Sequence, residues 1–468
     1  MGNFWDFNSW GTLNIVAALM IGLLLANLCK RNSKLLQKSL IPTPVLAGII
    51  LLIISNVYGL ITGTHLFETG VFSNAGNTGL GILEIITYHA LALGFIAQTL
   101  VESPRKFTKQ RSIEVFNTGV TTVATYLLQG VVGMAITIVI ALTVMPDLLE
   151  AAGLLLPFGY GQGSGQALNY GGIYETTHGF IGGKSFGLTI AAFGFISASI
   201  GGVIHMHIMK RRGTFVSRTA NDELTPHEAV EGKGEIPMNG AIDKLTVQIA
   251  FILFVYGIAY AVMYGLGSAL PGMKSVVYGF NFLFGVLFAV LFKFVLKAIR
   301  KTGRRRYTNN FLLTHLSNFF FDVMIVSGIA AIRIDTLKKY FWVVLLLGVV
   351  GLIVTYLYNH YVARKLFPEY TEEQFLAMYG MLTGTASTGV MLLREADPAY
   401  ETPAADNLVY QNLPAIIFGF PLMFLATMAP EQPYLVLLIL FLFFVVMNLI
   451  LFRSFIFKRK RNAADKSE

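Results

Sequence analysis

Apolar residues run along this chain in long blocks, with polar and charged residues gathered between them. A helix needs about 20 apolar residues to cross the hydrocarbon of a bilayer. Blocks of that kind lie at 11–29, 41–61, 80–100, 116–144, 186–209, 245–267, 275–296, 314–336, 340–363, 411–428 and 433–453, which predicts eleven membrane-spanning helices. A β-barrel would show short alternating strands instead. Two further stretches, 149–184 and 371–402, are moderately apolar but broken in the middle by glycine and small hydroxyl residues. Irregular backbone at membrane depth is tolerated only inside protein or beside water. Both stretches are therefore read as re-entrant hairpins. The second opens with Thr371-Glu372-Glu373-Gln374, a capping-box pattern that predicts the start of its first arm.

Composition agrees with this reading. The 468 residues are 54% hydrophobic and only 13% charged, where a soluble domain carries roughly 25%. Disorder is excluded by the same balance. The net charge of +9 hints at nucleic acid, but lysine and arginine in membrane proteins collect in cytoplasmic loops. The loop after the first block holds Lys30, Arg31, Lys34 and Lys38, and the loop after the third holds Arg105, Lys106, Lys109 and Arg111. Lys210, Arg211, Arg212 and Arg218 follow the fifth block, and Lys297, Arg300, Lys301, Arg304, Arg305 and Arg306 follow the seventh. Arg364 and Lys365 follow the ninth, and the tail carries Arg453, Lys458, Arg459, Lys460 and Arg461. Every second loop is basic, which predicts an outside N-terminus and a cytoplasmic C-terminus. Arg333, Lys338 and Lys339 break the alternation. No nucleic-acid partner is expected. The first block lacks a basic leader, so it is not expected to be a cleaved signal. The single cysteine, Cys29, excludes an intramolecular disulfide and cysteine-based metal clusters.

The order of elements then repeats. Four spans, a hairpin and a fifth span are followed by four spans, a hairpin and a fifth, and the charge bias starts the two sets on opposite sides. The expected fold is an all-α polytopic membrane protein of two inverted-topology repeats, with one extra C-terminal helix. The repeats cover 1–209 and 245–430, with a polar linker at 210–244 and the extra helix and basic tail at 431–468. Inverted repeats with broken helices meeting near the midplane are a device of secondary transporters. The first tip contains Gly161, Gln162, Gly163, Ser164 and Gly165, and the second contains Gly384, Thr385, Ser387, Thr388 and Gly389. At each tip one short helix ends on free carbonyls, which suit a desolvated sodium ion. The next begins on free N–H groups and a positive dipole end, which suit a carboxylate. Close helix packing is the competing use of such small residues.

Asp322, an acid inside the eighth span, is a candidate for cation or proton binding. Arg394, on the second arm of the second hairpin, is a candidate for bidentate carboxylate binding or for pairing with Glu395 or Asp397. Glu84 reads as an interfacial acid and His89 as a hydrogen-bonded packing residue. His205 and His207 alone do not make a metal site. With no paired catalytic acids, nucleophile elbow or metal cluster at the tips, an enzyme is not expected. A channel is disfavoured for want of a filter signature.

The sequence resembles the bacterial sodium–glutamate symporter family. The resemblance rests on Ile41-Pro42-Thr43-Pro44-Val45 opening the second span, the glycine-rich tip 159–166, Gly201-Gly202 closing the fifth span, and the second tip from Gly380 to Gly389. It runs over about 13–428. The first tip departs from the family's Gly-Gly-His-Gly-Thr-Gly by carrying Tyr160, Gln162 and Ser164, and the second has more hydroxyls and fewer glycines. The resemblance implies sodium-coupled uptake of glutamate across a bacterial plasma membrane, a site at the hairpin tips, an elevator-like moving domain and a homodimer. It implies no cofactor beyond sodium as coupling ion. Another anionic amino acid or dicarboxylate, and proton coupling through Asp322, stay open as alternatives.

Overall fold

The computed structural model of the chain describes residues 5–102, 108–212, 243–300, 307–397 and 401–455. The linker expected at 210–244 lies outside these residues from 213 to 242. So do Arg105, Lys106, Arg218, Lys301, Arg304, Arg305, Arg306 and the tail from Lys458. Among the described residues there is no strand, ten helices are long and apolar enough to cross a membrane, and a bent pair makes an eleventh. The protein is an all-α polytopic membrane protein.

In chain order the helices are α1 (Phe7–Asn32), α2 (Thr43–Thr62), α3 (Gly79–Leu100) and α4 (Lys109–Thr143), then a broken pair, α5 (Leu155–Gln162) and α6 (Ser164–His178), then α7 (Gly183–Arg212). The second half follows with α8 (Lys244–Ala269), α9 (Asn281–Arg300), α10 (Asn310–Ala330) and α11 (Phe341–Leu366). A second broken pair, α12 (Thr371–Leu382) and α13 (Ala386–Ala396), precedes α14 (Ala404–Tyr410), α15 (Asn412–Met428) and α16 (Pro433–Leu451).

Packing partners match when the halves are exchanged. α2 packs on α10, and α9 on α3; α4 on α5, and α11 on α12; α11 on α7, and α4 on α15. The third spans, α3 and α10, pack on each other, as do the fourth, α4 and α11. Burial follows the same order. The most apolar windows of α3, α4 and α10 are each 56% buried and that of α7 67%, whereas those of α1, α8, α9 and α16 are 22% buried. Exposed leucines such as Leu24, Leu60 and Leu442 cover the outer helices, as lipid in place of water requires. α7 is the shared spine. Gly187, Gly194 and Gly201 recur every seven residues, and bring the backbone against Ala167 of the first hairpin, then Tyr160 and Thr383 of both, then Tyr379 of the second. Gly202 receives Leu392, and the Tyr379 hydroxyl donates to Ser197 O at 2.8 Å. Small residues allow this approach where lipid gives no hydrophobic drive between helices.

Several expectations need correction. The eighth span, expected to reach 336, ends at Ala330, because the chain turns and Arg333 N donates to Ser185 Oγ at 3.0 Å. The tenth, expected as one helix over 411–428, starts earlier and is bent by 50° between Ala404–Tyr410 and Pro414–Met428. A proline there supplies no N–H and crowds the preceding turn. Residues 371–374 start a helix but make no capping box. Thr371 is already helical and its hydroxyl donates back to Phe367 O, while Gln374 donates to Thr118 Oγ1. The three basic residues that break the charge alternation sit beside acids: Arg333 by Glu84 at 3.6 Å, Lys338 by Asp335 at 2.8 Å and Lys339 by Asp147 at 3.2 Å.

Candidate functional site

The first hairpin turns on one residue. Gly163 stands between α5 and α6 with φ +80° and ψ −176°, a backbone region that is essentially glycine's alone. Gly161 lets the Tyr126 ring lie against the backbone, and the Tyr126 hydroxyl donates to Gly161 O at 2.9 Å. Ser164 opens α6, and its Oγ donates to Met324 O on α10 at 3.1 Å. Gly165 serves packing, since a Cβ there would meet Leu91. Gln166, in the first turn of α6, is buried and its Nε2 has no acceptor among the described residues.

The second hairpin breaks over Thr383, Gly384 and Thr385. Thr385 and Thr388 share a contact between hydroxyls at 3.4 Å, and Ser387 Oγ donates to Asn318 Oδ1 at 3.3 Å. Gly389 holds the two arms together, because a Cβ there would strike Ala377 O. The tips meet: a Cβ built on Gly163 would lie 3.3 Å from Thr385 Cγ2 and 3.7 Å from Gly384 O.

Around the meeting point lies a cavity of about 80 Å³, lined by Gly161, Gln162, Gly384, Thr385 and Ala386 from the tips, by Gln98, Thr122 and Tyr126, and by Gln411 and Asn412. Roughly 10–15 Å³ of such space holds one water, so a small organic solute has room. Gln411 and Asn412 sit at the bend between α14 and α15. Three interruptions of helix therefore converge on one cavity. Phe95, Phe282, Phe321, Met324 and Met423 supply its apolar wall, and among the described residues no charged side chain lines it. A second cavity of about 230 Å³ shares Gln98, Phe321 and Ala386 with the first and adds Ser387 and Asn318. A third, of about 310 Å³, shares Gln98, Asn412 and Ile416 with the first and reaches Lys293 and Lys297 near the end of α9.

Helices α6 and α13 both begin without a side-chain cap, so their first N–H groups are left for a ligand. Buried acceptors stand on the other side. Gln129 Nε2 donates to Leu382 O at 3.0 Å and to Thr355 Oγ1 at 2.8 Å, which ties α4 and α11 to the end of α12. Its Oε1 is buried with no donor among the described residues, as is Asn359 Oδ1, whose amide nitrogen reaches Thr125 and Thr355. Buried acceptors without donors are costly in water-free surroundings and suit water or a cation with oxygen ligands.

Asp322 is half-buried on α10 and has no hydrogen-bond or ion-pair partner among the described residues, but it does not line the three cavities. Arg394 is exposed in the last turn of α13 and also lies off those walls. Glu84 pairs with Lys184 at 2.7 Å. His89 Nδ1 lies 2.7 Å from the Tyr256 hydroxyl. Sequence reasoning missed Gln98, Asn318, Gln411 and Asn412. An amide within an apolar run is the signal that would have found them. Comparison of the chain with protein-family models and with curated proteins returns no match.

Proposed function

We propose that this protein is a secondary active transporter that carries glutamate, or an anion of similar size, together with sodium by alternating access. The observation that carries the reading is the convergence of two hairpin tips and a bent span on a cavity without a charged wall. An anion there is met by the uncapped N-terminus of α13 and by the amides of Gln98, Gln411 and Asn412, not by arginine. Lys293 and Lys297, which line the third cavity beside the first, favour anion entry or exit. The orphaned oxygens of Gln129, whose amide nitrogen reaches Leu382, and of Asn359 support a coupling cation. The resemblance to sodium–glutamate symporters supplies the substrate, the bacterial plasma membrane and the homodimer of this reading.

Glutamate carries one negative charge, so one sodium makes an electroneutral pair. Each further cation adds about 2.3 kcal/mol per 100 mV, so uptake that responds to the membrane potential implies more than one sodium. The test is uptake of labelled glutamate, other amino acids and dicarboxylates into proteoliposomes under an inward sodium gradient. Saturable glutamate uptake that is lost on replacing sodium by choline, and raised by an inside-negative potential, is the expected result. Equal glutamate binding with and without sodium overturns the coupling, because binding linkage is reciprocal. A second reading, proton coupling, has its own observation in the unpartnered Asp322. Uptake driven by a proton gradient in choline, and abolished in Asp322→Asn, selects it.

The serines at the tips give a residue-level test. Ser164→Ala and Ser387→Ala each remove one hydrogen bond, worth about 1 kcal/mol net. Each is expected to lower uptake by roughly fivefold while the purified protein keeps its elution profile. Wild-type rates in both variants move the site away from the tips.

A further inference from the structure

Away from the tips, His205 on α7, His360 on α11 and Glu372 in the first turn of α12 bring their ligand atoms within 4.8 Å of one another. His205 is buried, and the other two are half-buried. Its Nε2 lies 2.6 Å from Glu372 Oε2 and its Nδ1 lies 2.8 Å from the Tyr356 hydroxyl. That pair alone would tie the foot of the second hairpin to α7. It leaves His360 unexplained, for His360 Nδ1 is buried and has no hydrogen-bond partner among the described residues, although the ring packs against both His205 and Tyr356.

We infer that His205, His360 and Glu372 form a binding site for a divalent transition-metal ion of the zinc type. Two imidazoles and a carboxylate are a known zinc donor set, with water in the fourth position. Bonds of about 2.0–2.2 Å in tetrahedral geometry separate ligand atoms by roughly 3.3 Å, longer than the 2.6 Å of His205–Glu372 and inside the 4.8 Å within which all three ligand atoms lie. Rotation of half-buried side chains covers the difference. The ion takes the place of the proton between His205 and Glu372. The Tyr356 hydroxyl, which can donate or accept, then accepts from His205 Nδ1–H and orients the ring, as outer partners of metal-bound histidines do. Calcium and magnesium are not fitted, since they take oxygen ligands. The ligands come from three helices, so a bound ion staples the foot of the second hairpin to α7 and α11. His207, two residues from His205, takes no part: its Nδ1 lies 2.8 Å from Val203 O on the exposed side of the helix.

The test uses the full chain in detergent, titrated with Zn²⁺ alone and followed by calorimetry and by the melting temperature. The expected result is one zinc per chain at low-micromolar concentration and a rise in melting temperature. His360→Ala keeps the His205–Glu372 contact, so it is expected to fold. It should bind at least about tenfold more weakly and lose the temperature rise. Cys29→Ser and His207→Ala should bind like wild type. Absence of stoichiometric zinc in wild type, wild-type affinity in His360→Ala, or loss of binding in Cys29→Ser overturns the assignment.

Discussion

Gly163→Ala is expected to cut transport at least about tenfold while leaving a protein that inserts and elutes as a single species. The cost is conformational. At φ +80° and ψ −176° a side chain costs about 1–3 kcal/mol, and about 1.4 kcal/mol is a factor of ten. A new Cβ would also press on Thr385 Cγ2 at 3.3 Å and Met324 Cε at 3.4 Å, both ends of side chains that can give way. Strain at the tip therefore dominates over collision. Relief of that strain moves Gln162 and Ser164, which flank the residue on opposite arms. Gly163→Asn should be no better, because asparagine tolerates the left-handed helical region and this ψ lies far from it. Gly179, which caps α6 at φ +69° and ψ 18° with nothing within 4 Å of a built Cβ, is the control, and Gly179→Asn should transport like wild type. Uptake into proteoliposomes, normalised to folded protein, decides the matter. Wild-type rates in Gly163→Ala would mean that the first tip does not shape the substrate site.

The spans were legible because lipid demands long apolar blocks, and such blocks need no periodicity to be seen. The hairpins were legible for the opposite reason, as glycine and hydroxyl residues at 159–166 and 383–389 interrupt blocks that otherwise resemble the rest. Less legible was where helices stop for tertiary reasons. The end of α10 depends on the bond from Arg333 to Ser185, 148 residues apart in sequence, and no local signal announces it. The bend at Gln411 was hidden because Pro414 and Pro421 sit in a run apolar enough to read as one span. The cavity wall was only half legible. Gly161, Gln162, Gly384 and Thr385 came from the tips themselves, but Gln98 is a single amide inside a helix and Gln411 and Asn412 are amides within an apolar run, which read equally well as packing. Asp322 and Arg394 drew notice because charge in a membrane is rare, yet charge alone does not say which way a helix face turns. The pairing of His205 with His360 and Glu372 lies beyond any local pattern, since helices α7, α11 and α12 bring it together.

Gly153→Val is expected to remove most of the folded protein, a larger effect on stability than any substitution at the tips. Gly153 lies in the one-turn segment Glu150–Leu154 that leads into α5. It crosses Gly133 of α4 backbone to backbone: a Cβ on Gly153 would lie 2.0 Å from Gly133 O, and one on Gly133 would lie 2.2 Å from Gly153 O. Neither neighbour is a side chain that can rotate aside. Thr137 locks the crossing, its Oγ1 donating to Glu150 O at 2.6 Å and accepting from Gly153 N at 3.1 Å. Overpacking a tight contact costs about 1–3 kcal/mol where repacking can absorb it, and here the backbones themselves must part. The first hairpin hangs from this crossing, so separation displaces α5 and with it Tyr160, whose hydroxyl reaches Ser197 at 2.8 Å. Gly257 is the matched control, a helix glycine with nothing within 4 Å of a built Cβ, and Gly257→Val should give a normal yield. The measurement is the monodisperse fraction on size exclusion and the melting temperature in detergent. Gly153→Val with wild-type values for both would show that α4 and the hairpin do not touch through these glycines.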